Sequence, residues 1–304
     1  MVRGVQVKES FFGRAEDIAS SCYLRYQRLQ YLWHRLTRPN VSDFLDVGFG
    51  IDLRSCWFRE AWAHHLARTK GFINEATREG GSEVVVLGVG RLRDCPLDEL
   101  VERFGRVILI DIDPRAIAWC RGAVRRYRGR VFCEESDVTG VFSEWSKALK
   151  AIRGEGEEQV SGYLRKLVAP KRQWSDDTVI SLNLLSQLGV MWRDRVARIV
   201  GDDTARTENV VEATSVAISR LEREHCLGLA AARRSILVAD RFFYSASERS
   251  APWEIEDALY GLWPERLPGR SDWLRGSWLW QLVPLDGERA GEEIVHEVWA
   301  RAFQ

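Results

Sequence analysis

The sequence lacks the patterns that mark several classes of protein. Its six cysteines include no Cys-x-x-Cys pair, so we expect reduced thiols and neither a zinc site nor a redox dithiol. No apolar stretch is long enough to cross a bilayer, and the apolar core of a signal peptide is missing. Basic and acidic residues number 44 each, which argues against bulk attraction to nucleic acid or to an anionic membrane. We therefore expect a cytoplasmic protein without a metal site, a nucleic-acid partner or a membrane partner.

The composition fits one enzyme-sized unit. The 304 residues are 45% hydrophobic and include 13 tryptophans, enough for one large core and an accessory segment. Residues 1–75 are expected to form a helical N-terminal extension, which either caps a cleft or packs beside the main domain. Residues 76–304 are expected to form that domain, with inserts at about 153–177 and 241–276. The first insert is charged and contains glycines, and we expect a mobile surface connection there.

Short apolar, β-branched runs predict the strands of a parallel sheet, because strands buried on both faces are apolar throughout. These runs are 83–87, 107–110, 130–133, 178–182 and 235–239. Stretches of helical periodicity separate them. Two later runs, 278–283 and 294–300, are separated by Pro284 and a polar turn, which predicts a C-terminal hairpin. The predicted fold is α/β, with a seven-stranded, mostly parallel, Rossmann-like sheet that ends in an antiparallel β-hairpin.

Glycines and acids stand where the first three strands end. Gly88 and Gly90 follow the first strand, Asp111 ends the second, and Asp137 follows the third. Glycine lets the backbone come close to a ligand, and an acid at the end of the second strand can accept hydrogen bonds from a ribose diol. The acid after the third strand is placed to meet an exocyclic amine of a base. Because ligands bind at this edge of an open α/β sheet, the pattern predicts a nucleoside site.

The order of these motifs, with the C-terminal hairpin, resembles the class I S-adenosylmethionine (SAM) dependent methyltransferases. The resemblance implies that Gly88 and Gly90 flank the amino-acid part of SAM, that Asp111 holds the ribose and that Asp137 binds the adenine. It also places three neighbouring residues in the cofactor site, namely Ile112, Val138 and Asn183.

The glycine loop departs from the family pattern at its third glycine, where this sequence has Leu92. A dinucleotide fingerprint fits no better, because it needs glycine where Arg93 stands. Asp94, close to a helix N-terminus, would also oppose a pyrophosphate there. After the fourth strand, the sequence lacks the Asn/Asp-Pro-Pro-aromatic motif of enzymes that methylate nucleic-acid amino groups, so methylation of a base is disfavoured.

A second glycine pair, Gly48 and Gly50, looks more like the methyltransferase loop than the later one does. The residues after it read as a helix, and no second strand ending in an acid follows about twenty residues on. We therefore reject it as the cofactor loop and expect a turn in the N-terminal extension, placed at the lip of the cleft if the extension caps it.

The acceptor site is less defined by the sequence. An aromatic, proline-rich stretch after the fifth strand could wall an apolar or planar acceptor, with Tyr244 and Trp253 as the residues to test, or could merely cover the core. No catalytic base is assigned. Four candidates are not distinguished by spacing, namely His64, His65, Asp240 and His296.

The resemblance implies a SAM-dependent methyltransferase that acts on a small molecule or, alternatively, on a protein side chain. Two other classes stay open. One is a non-catalytic relative that binds SAM or serves as a scaffold, which the irregular glycine loop motivates. The other is a nicotinamide-dependent oxidoreductase, which would have a parallel last strand in place of the predicted hairpin.

Overall fold

The computed structural model describes residues 28–37, 42–169, 174, 178–247, 251–259, 267, 269–284 and 293–304. In this part of the chain the helices are α1 (28–37), α2 (Ser42–Trp57), α3 (Arg59–Ala76), α4 (Leu97–Arg103), α5 (Pro114–Ala123), α6 (Phe142–Ala151), α7 (Glu157–Lys166), α8 (Leu185–Val200), α9 (Asp202–Ala205) and α10 (Glu208–Leu229). The strands are β1 (Gly81–Leu87), β2 (Phe104–Asp111), β3 (Val131–Glu135), β4 (Thr178–Leu182), β5 (Arg234–Ala246), β6 (Glu254–Asp257), β7 (Asp272–Val283) and β8 (Glu293–Phe303).

The strands form one mixed sheet in the order β3-β2-β1-β4-β5-β8-β7, and β6 pairs with β5 beside this path. Neighbours among β1 to β5 are parallel, whereas β8 is antiparallel to both β5 and β7. This arrangement confirms the predicted Rossmann-like sheet and its antiparallel C-terminal hairpin. The described residues add an eighth strand, the short β6, which the sequence analysis did not predict.

Helices cover both faces of the sheet because its inner strands are apolar on both sides. On β1, Val84 and Val86 face one core layer and Val85 and Leu87 the other, as the two-residue period of a strand requires. One layer contains α3, α4 and α5, and the other contains α6, α7, α8 and α10. The carboxyl ends of β1, β2 and β4 therefore meet at one edge between the two layers.

Two expectations about the inserts differ from the structure. The segment expected to be a mobile surface connection, 153–177, contains the helix α7, whose Val160 and Leu164 are buried in the core. Residues 170–173 and 175–177 lie outside the described part. The second insert, 241–276, begins inside β5, because that strand continues to Ala246, where antiparallel pairing with β6 and β8 extends it.

The described residues of the N-terminal extension are helical apart from the turn at Phe58, while 1–27 and 38–41 lie outside the described residues. The expected turn at Gly48 and Gly50 is wrong, since both glycines lie inside α2. A Cβ on Gly48 would come within 2.5 Å of Asp113 Oδ2, so this glycine allows α2 to pack closely on the start of α5. No helix in the described ranges combines the length and apolar character needed to cross a membrane.

Candidate functional site

A cavity of about 190 Å³ opens at the carboxyl edge of the parallel strands. Its walls come from the loops after β1, β2, β3 and β4, and from α2, α3, α8 and β7. All seven residues that the sequence analysis placed in a cofactor site line it, namely Gly88, Gly90, Asp111, Ile112, Asp137, Val138 and Asn183. The topology therefore brings the predicted residues together.

The loop after β1 is built on left-handed backbone conformations. Gly88 has a φ of 72°, and a Cβ there would lie 2.9 Å from both Leu182 O and Leu184 Cβ. Gly90 has a φ of 51°, and a Cβ there would meet nothing within 4 Å. Leu92, at the position of the missing third glycine, keeps a φ of 62°. The loop thus holds the positive-φ conformation at all three positions, and at Leu92 it carries the strain of a side chain in that conformation.

The carboxylate of Asp111 is held by the backbone around it. Gly90 N donates to Oδ2 at 2.8 Å, and Asp113 N donates to Oδ1 at 2.8 Å. Burial and the nearby charge of Asp113 raise the pKa of Asp111 to about 6. Because each carboxylate oxygen accepts two hydrogen bonds, both oxygens can still take a donor from a ligand in the cavity.

Asp137 is fixed in a similar way by the turn that leads into α6. Its Oδ1 accepts hydrogen bonds from Thr139 N at 2.9 Å and from Thr139 Oγ1 at 2.6 Å, and its Oδ2 accepts from Phe142 N at 3.0 Å. The adjacent Val138 and, after β2, Ile112 add apolar side chains to the same cavity. The combination of these apolar side chains with the Asp137 carboxylate suits a planar base with a polar edge.

Asn183, directly after β4, carries an unused acceptor. Its backbone has a φ of 49°, and its Nδ2 donates to Asp94 Oδ2 at 2.7 Å. Its Oδ1 is buried and has no hydrogen-bond partner among the described residues. Burial raises the pKa of Asp94. A buried oxygen without a donor is costly, so this part of the cavity suits a ligand that brings one.

Helix α2 forms one wall of the cavity, and a buried charge cluster that the sequence analysis missed attaches it to the rest of the site. Asp52 is 2% exposed, and its carboxylate lies 2.9 Å from Arg91 Nη2, 2.9 Å from Arg93 Nη2 and 4.0 Å from Arg115 Nη1. Arg115 also binds Asp113 and the carbonyl of Leu45. The sequence signal that could have indicated this cluster is Asp52 itself, a single acid between Ile51 and Leu53 in an apolar stretch.

The other end of the cavity is aromatic and comes from α3 and β7. Trp62, His65, Leu66 and Trp280 line it. The His65 ring stacks on Trp280 with centroids 4.0 Å apart and planes 11° apart, while Trp62 meets Trp280 edge-on at 4.8 Å. His65 Nδ1 accepts a hydrogen bond from Trp278 Nε1 at 3.0 Å. Burial lowers the pKa of His65 to about 4.

The other base candidates do not line the cavity. Asp240 Oδ1 lies 3.4 Å from His296 Nδ1, and Ser186 Oγ donates to Asp240 Oδ2 at 3.1 Å. Burial would raise the pKa of Asp240, but His296 and, to a smaller extent, His65 keep it below its ordinary value. His64 is exposed on α3. Within the described ranges, no group of three or more His, Cys, Asp or Glu could hold a metal ion.

The two residues expected at the acceptor site lie elsewhere. The Tyr244 hydroxyl, on β5, donates to Glu297 Oε2 at 2.8 Å, and Trp253 is 46% exposed. Neither lines the cavity. Other aromatics of the same stretch, Tyr260 and Trp263, lie outside the described residues.

Strand order and the antiparallel last strand give this chain the class I methyltransferase fold. No protein-family model matches the sequence, and no curated protein matches it.

Among solved structures, the chain is similar to the N-methyltransferase NodS from Bradyrhizobium japonicum WM9, with 10% identity, a TM-score of 0.35 and coverage of 78% of this chain and 93% of NodS. It is also similar to TehB from Haemophilus influenzae, with 12% identity, a TM-score of 0.38 and coverage of 77% of this chain and 61% of TehB. A third similar structure is a SAM-dependent methyltransferase from Aquifex aeolicus, with 9% identity, a TM-score of 0.34 and coverage of 77% of this chain and 88% of that protein.

Proposed function

We propose that this protein is a SAM-dependent methyltransferase that acts on a small molecule. The observation that carries the proposal is the convergence of Gly90, Asp111 and Asp137 on one cavity at the carboxyl edge of the sheet. Glycine, a ribose-binding acid and a base-binding acid are the groups that a nucleoside needs, in the order in which the three strands supply them. We also propose a cytoplasmic location and no nucleic-acid partner, because the sequence has no apolar stretch long enough to cross a bilayer and its basic and acidic residues are equal in number.

The nucleoside part of SAM would lie against the loops after β2 and β3. Asp111 would accept hydrogen bonds from the ribose hydroxyls, using the lone pairs that Gly90 N and Asp113 N leave open. The adenine would pack between Ile112 and Val138, with its amino group toward Asp137. These apolar side chains suit the base because they offer contact area without a competing polar atom.

The amino-acid part of SAM would lie along the glycine loop. Asn183 Oδ1, which is buried and has no hydrogen-bond partner among the described residues, suits the ammonium group, and the nearby Asp94 carboxylate adds a negative charge. The carboxylate of SAM would meet Arg93, which has donors beyond the one that binds Asp52. The bare edge of Gly90, where a Cβ would meet nothing within 4 Å, leaves room for this chain of atoms.

When bound, SAM supplies a methyl group on a positively charged sulfur, ready for in-line displacement. The protein's contribution is to align the acceptor with that methyl group and to exclude water. Phe44 and Val47 of α2, with Leu188 and Met191 of α8, give the cavity apolar walls for this purpose. Helix α2 lines the cavity and restricts access to it. This favours a small acceptor over a protein side chain, because a folded protein would have to insert its side chain past the helix.

A non-catalytic, SAM-binding relative is the second candidate. The irregular glycine loop, with Leu92 in place of the third glycine, and the lack of an assigned catalytic base motivate it. A nicotinamide-dependent oxidoreductase is disfavoured by the antiparallel last strand and by Asp94, which would repel a pyrophosphate near α4.

Isothermal titration with SAM, S-adenosylhomocysteine and NAD separates the two SAM-binding candidates from the oxidoreductase, and conversion of SAM to S-adenosylhomocysteine in the presence of an acceptor separates the methyltransferase from its non-catalytic relative. We expect saturable binding of the first two, no binding of NAD, and loss of binding in Asp111→Ala. The matched control is Asp98→Ala, which removes an exposed acid of α4. Asp111→Asn provides a variant closer in shape if the alanine variant does not fold. Binding of NAD alone would establish an oxidoreductase, and binding of none would contradict the cofactor assignment.

A further inference from the structure

The aromatic end of the cavity has the composition of a binding surface for a flat molecule. Trp62, His65 and Trp280 form a continuous cluster, with one stacked and one edge-on ring contact. Trp62 Nε1 donates to Leu282 O at 3.1 Å, which fixes its ring against β7. Rigid aromatic side chains present large contact areas to planar ligands at little cost in conformational entropy.

The tautomer of His65 follows from its partner. Trp278 Nε1–H can only donate, so His65 Nδ1 must accept and carries no proton. A neutral imidazole then has its proton on Nε2. Burial lowers the pKa of His65 to about 4, so the ring stays neutral near pH 7. His65 therefore offers a hydrogen-bond donor at this end of the cavity and has no free nitrogen with which to take a proton.

Trp280 supplies an unused donor in the same cluster. Its side chain is 94% buried, since 6% is exposed, and its Nε1–H has no hydrogen-bond partner among the described residues. A buried donor without an acceptor costs free energy. With the Nε2–H of His65, the cluster has two N–H donors among aromatic rings, which match a ligand that brings a hydrogen-bond acceptor on a flat, uncharged frame.

We propose that Trp62, His65 and Trp280 form the methyl-acceptor subsite, and that it takes a flat, uncharged heteroaromatic molecule whose ring nitrogen or carbonyl oxygen accepts the Nε2–H of His65. This inference rests on the proposed methyltransferase function and assigns its substrate class. His65 is a positioning residue here. The methylated atom is one that is nucleophilic without deprotonation, such as a second ring nitrogen or an amine.

The test compares three flat probes of similar size that differ in one property. Quinoline has an acceptor nitrogen, naphthalene has none, and N-methylquinolinium is a cation. Binding to the wild-type protein is followed by the indole N–H signals of selectively labelled tryptophans, with and without saturating S-adenosylhomocysteine. We expect quinoline to bind about fivefold more tightly than naphthalene, the effect of one neutral hydrogen bond. The signals of Trp62 and Trp280 should shift, and that of the exposed Trp253 should not.

His65→Asn is the diagnostic variant, since the amide oxygen can replace Nδ1 as the acceptor for Trp278 while the Nε2 donor is lost. We expect it to abolish the preference for quinoline over naphthalene and to leave S-adenosylhomocysteine binding unchanged. The control is His64→Asn, on the exposed neighbour. The wild-type comparison of probes needs no variant and decides the question if His65→Asn does not fold.

Each outcome bears on one of the two proposals. Equal affinity for quinoline and naphthalene, tightest binding of N-methylquinolinium, or shifts that spare Trp62 and Trp280 would overturn the acceptor assignment, even where S-adenosylhomocysteine binds. If quinoline binds as expected and S-adenosylhomocysteine does not bind, the aromatic subsite stands and the proposed methyltransferase function falls.

Discussion

The two ends of the cavity present opposite kinds of side chain to a ligand. At the end formed by the strand loops, acids and glycines prevail, and the carboxylates of Asp111 and Asp137 are oriented by backbone N–H groups. At the other end, Trp62, His65 and Trp280 make a neutral aromatic surface, and the buried Nε1–H of Trp280 has no hydrogen-bond partner among the described residues. One end suits a charged, polar cofactor, and the other suits an uncharged acceptor.

In the proposed function, this difference keeps the cofactor and the acceptor at separate ends of the cavity. A polar nucleoside placed at the aromatic end would lose its hydrogen bonds, and a flat apolar molecule at the polar end would leave buried carboxylates unsolvated. Helix α2 and its Asp52 cluster cover the polar end, so the difference between the ends depends on the position of that helix.

The largest effect is expected from Asp52→Asn, which removes the carboxylate that Arg91, Arg93 and Arg115 share. Breaking a buried ion cluster from one side should lower the free energy of unfolding by about 3–5 kcal/mol. Thermal or urea unfolding measures it. The control is Asp46→Asn on the same helix, whose pairs with Arg35 and Arg198 are partly exposed. It should lose at most about 1 kcal/mol. Equal losses would show that the cluster does not anchor α2.

Gly90→Ala tests the polar end of the cavity at the backbone position where we expect SAM to come closest to the protein. Placing a side chain at a φ of 51° costs about 1–2 kcal/mol of stability, and the new methyl group meets no protein atom within 4 Å. In the proposed complex that space is taken by SAM, so we expect at least about tenfold weaker binding, or 1.4 kcal/mol.

Gly129→Ala is the matched control for Gly90→Ala. Gly129 has a φ of 82°, and a Cβ there is equally free of contacts, but the residue does not line the cavity. It should show the same loss of stability by thermal unfolding and unchanged SAM binding by titration. If both variants bind SAM like the wild type, the glycine loop does not contact the cofactor.

A smaller effect is expected from pH, acting through Asp111. Its folded-state pKa is raised to about 6, by burial and by Asp113, so ionisation costs stability as pH rises from the ordinary value of an aspartate through 6. Ribose hydroxyls donate best to the ionised carboxylate. SAM affinity should therefore rise with pH up to about 6, by at most about tenfold per unit, and then level off. Calorimetric titration from pH 5 to 8 measures it, and a constant SAM affinity over that range would contradict the assignment of the ribose to Asp111.

The polar end could be predicted from the sequence because its parts are local. Each strand, its terminal acid and the following helix are contiguous, and alternation along β1 assigns its faces. The departure at Leu92 did not alter the loop, since its backbone adopts the φ expected of glycine. The expected turn at Gly48 was wrong because both tight turns and close helix packing select glycine, and here the glycine serves helix packing.

The aromatic end could not be predicted, because its members are distant in the chain. His65 and Trp278 are 213 positions apart, and they meet only because β7 inserts at the edge of the sheet beside β8 and α3 packs on it. Tyr244 and Trp253 were favoured on local aromatic content alone. The helix α7 was not expected either, because its sequence is rich in charged residues. Its buried apolar side chains are only Val160 and Leu164, which is too few to reveal a helix face from the sequence.

The most direct test of the account is a crystal structure of the protein with S-adenosylhomocysteine. The account predicts the ribose hydroxyls within hydrogen-bond distance of Asp111, the adenine between Ile112 and Val138, and the amino group near Asn183 Oδ1, with the aromatic end left open for an acceptor. A ligand bound among Trp62, His65 and Trp280 instead, or an adenine remote from Asp137, would contradict the assignment of the two ends.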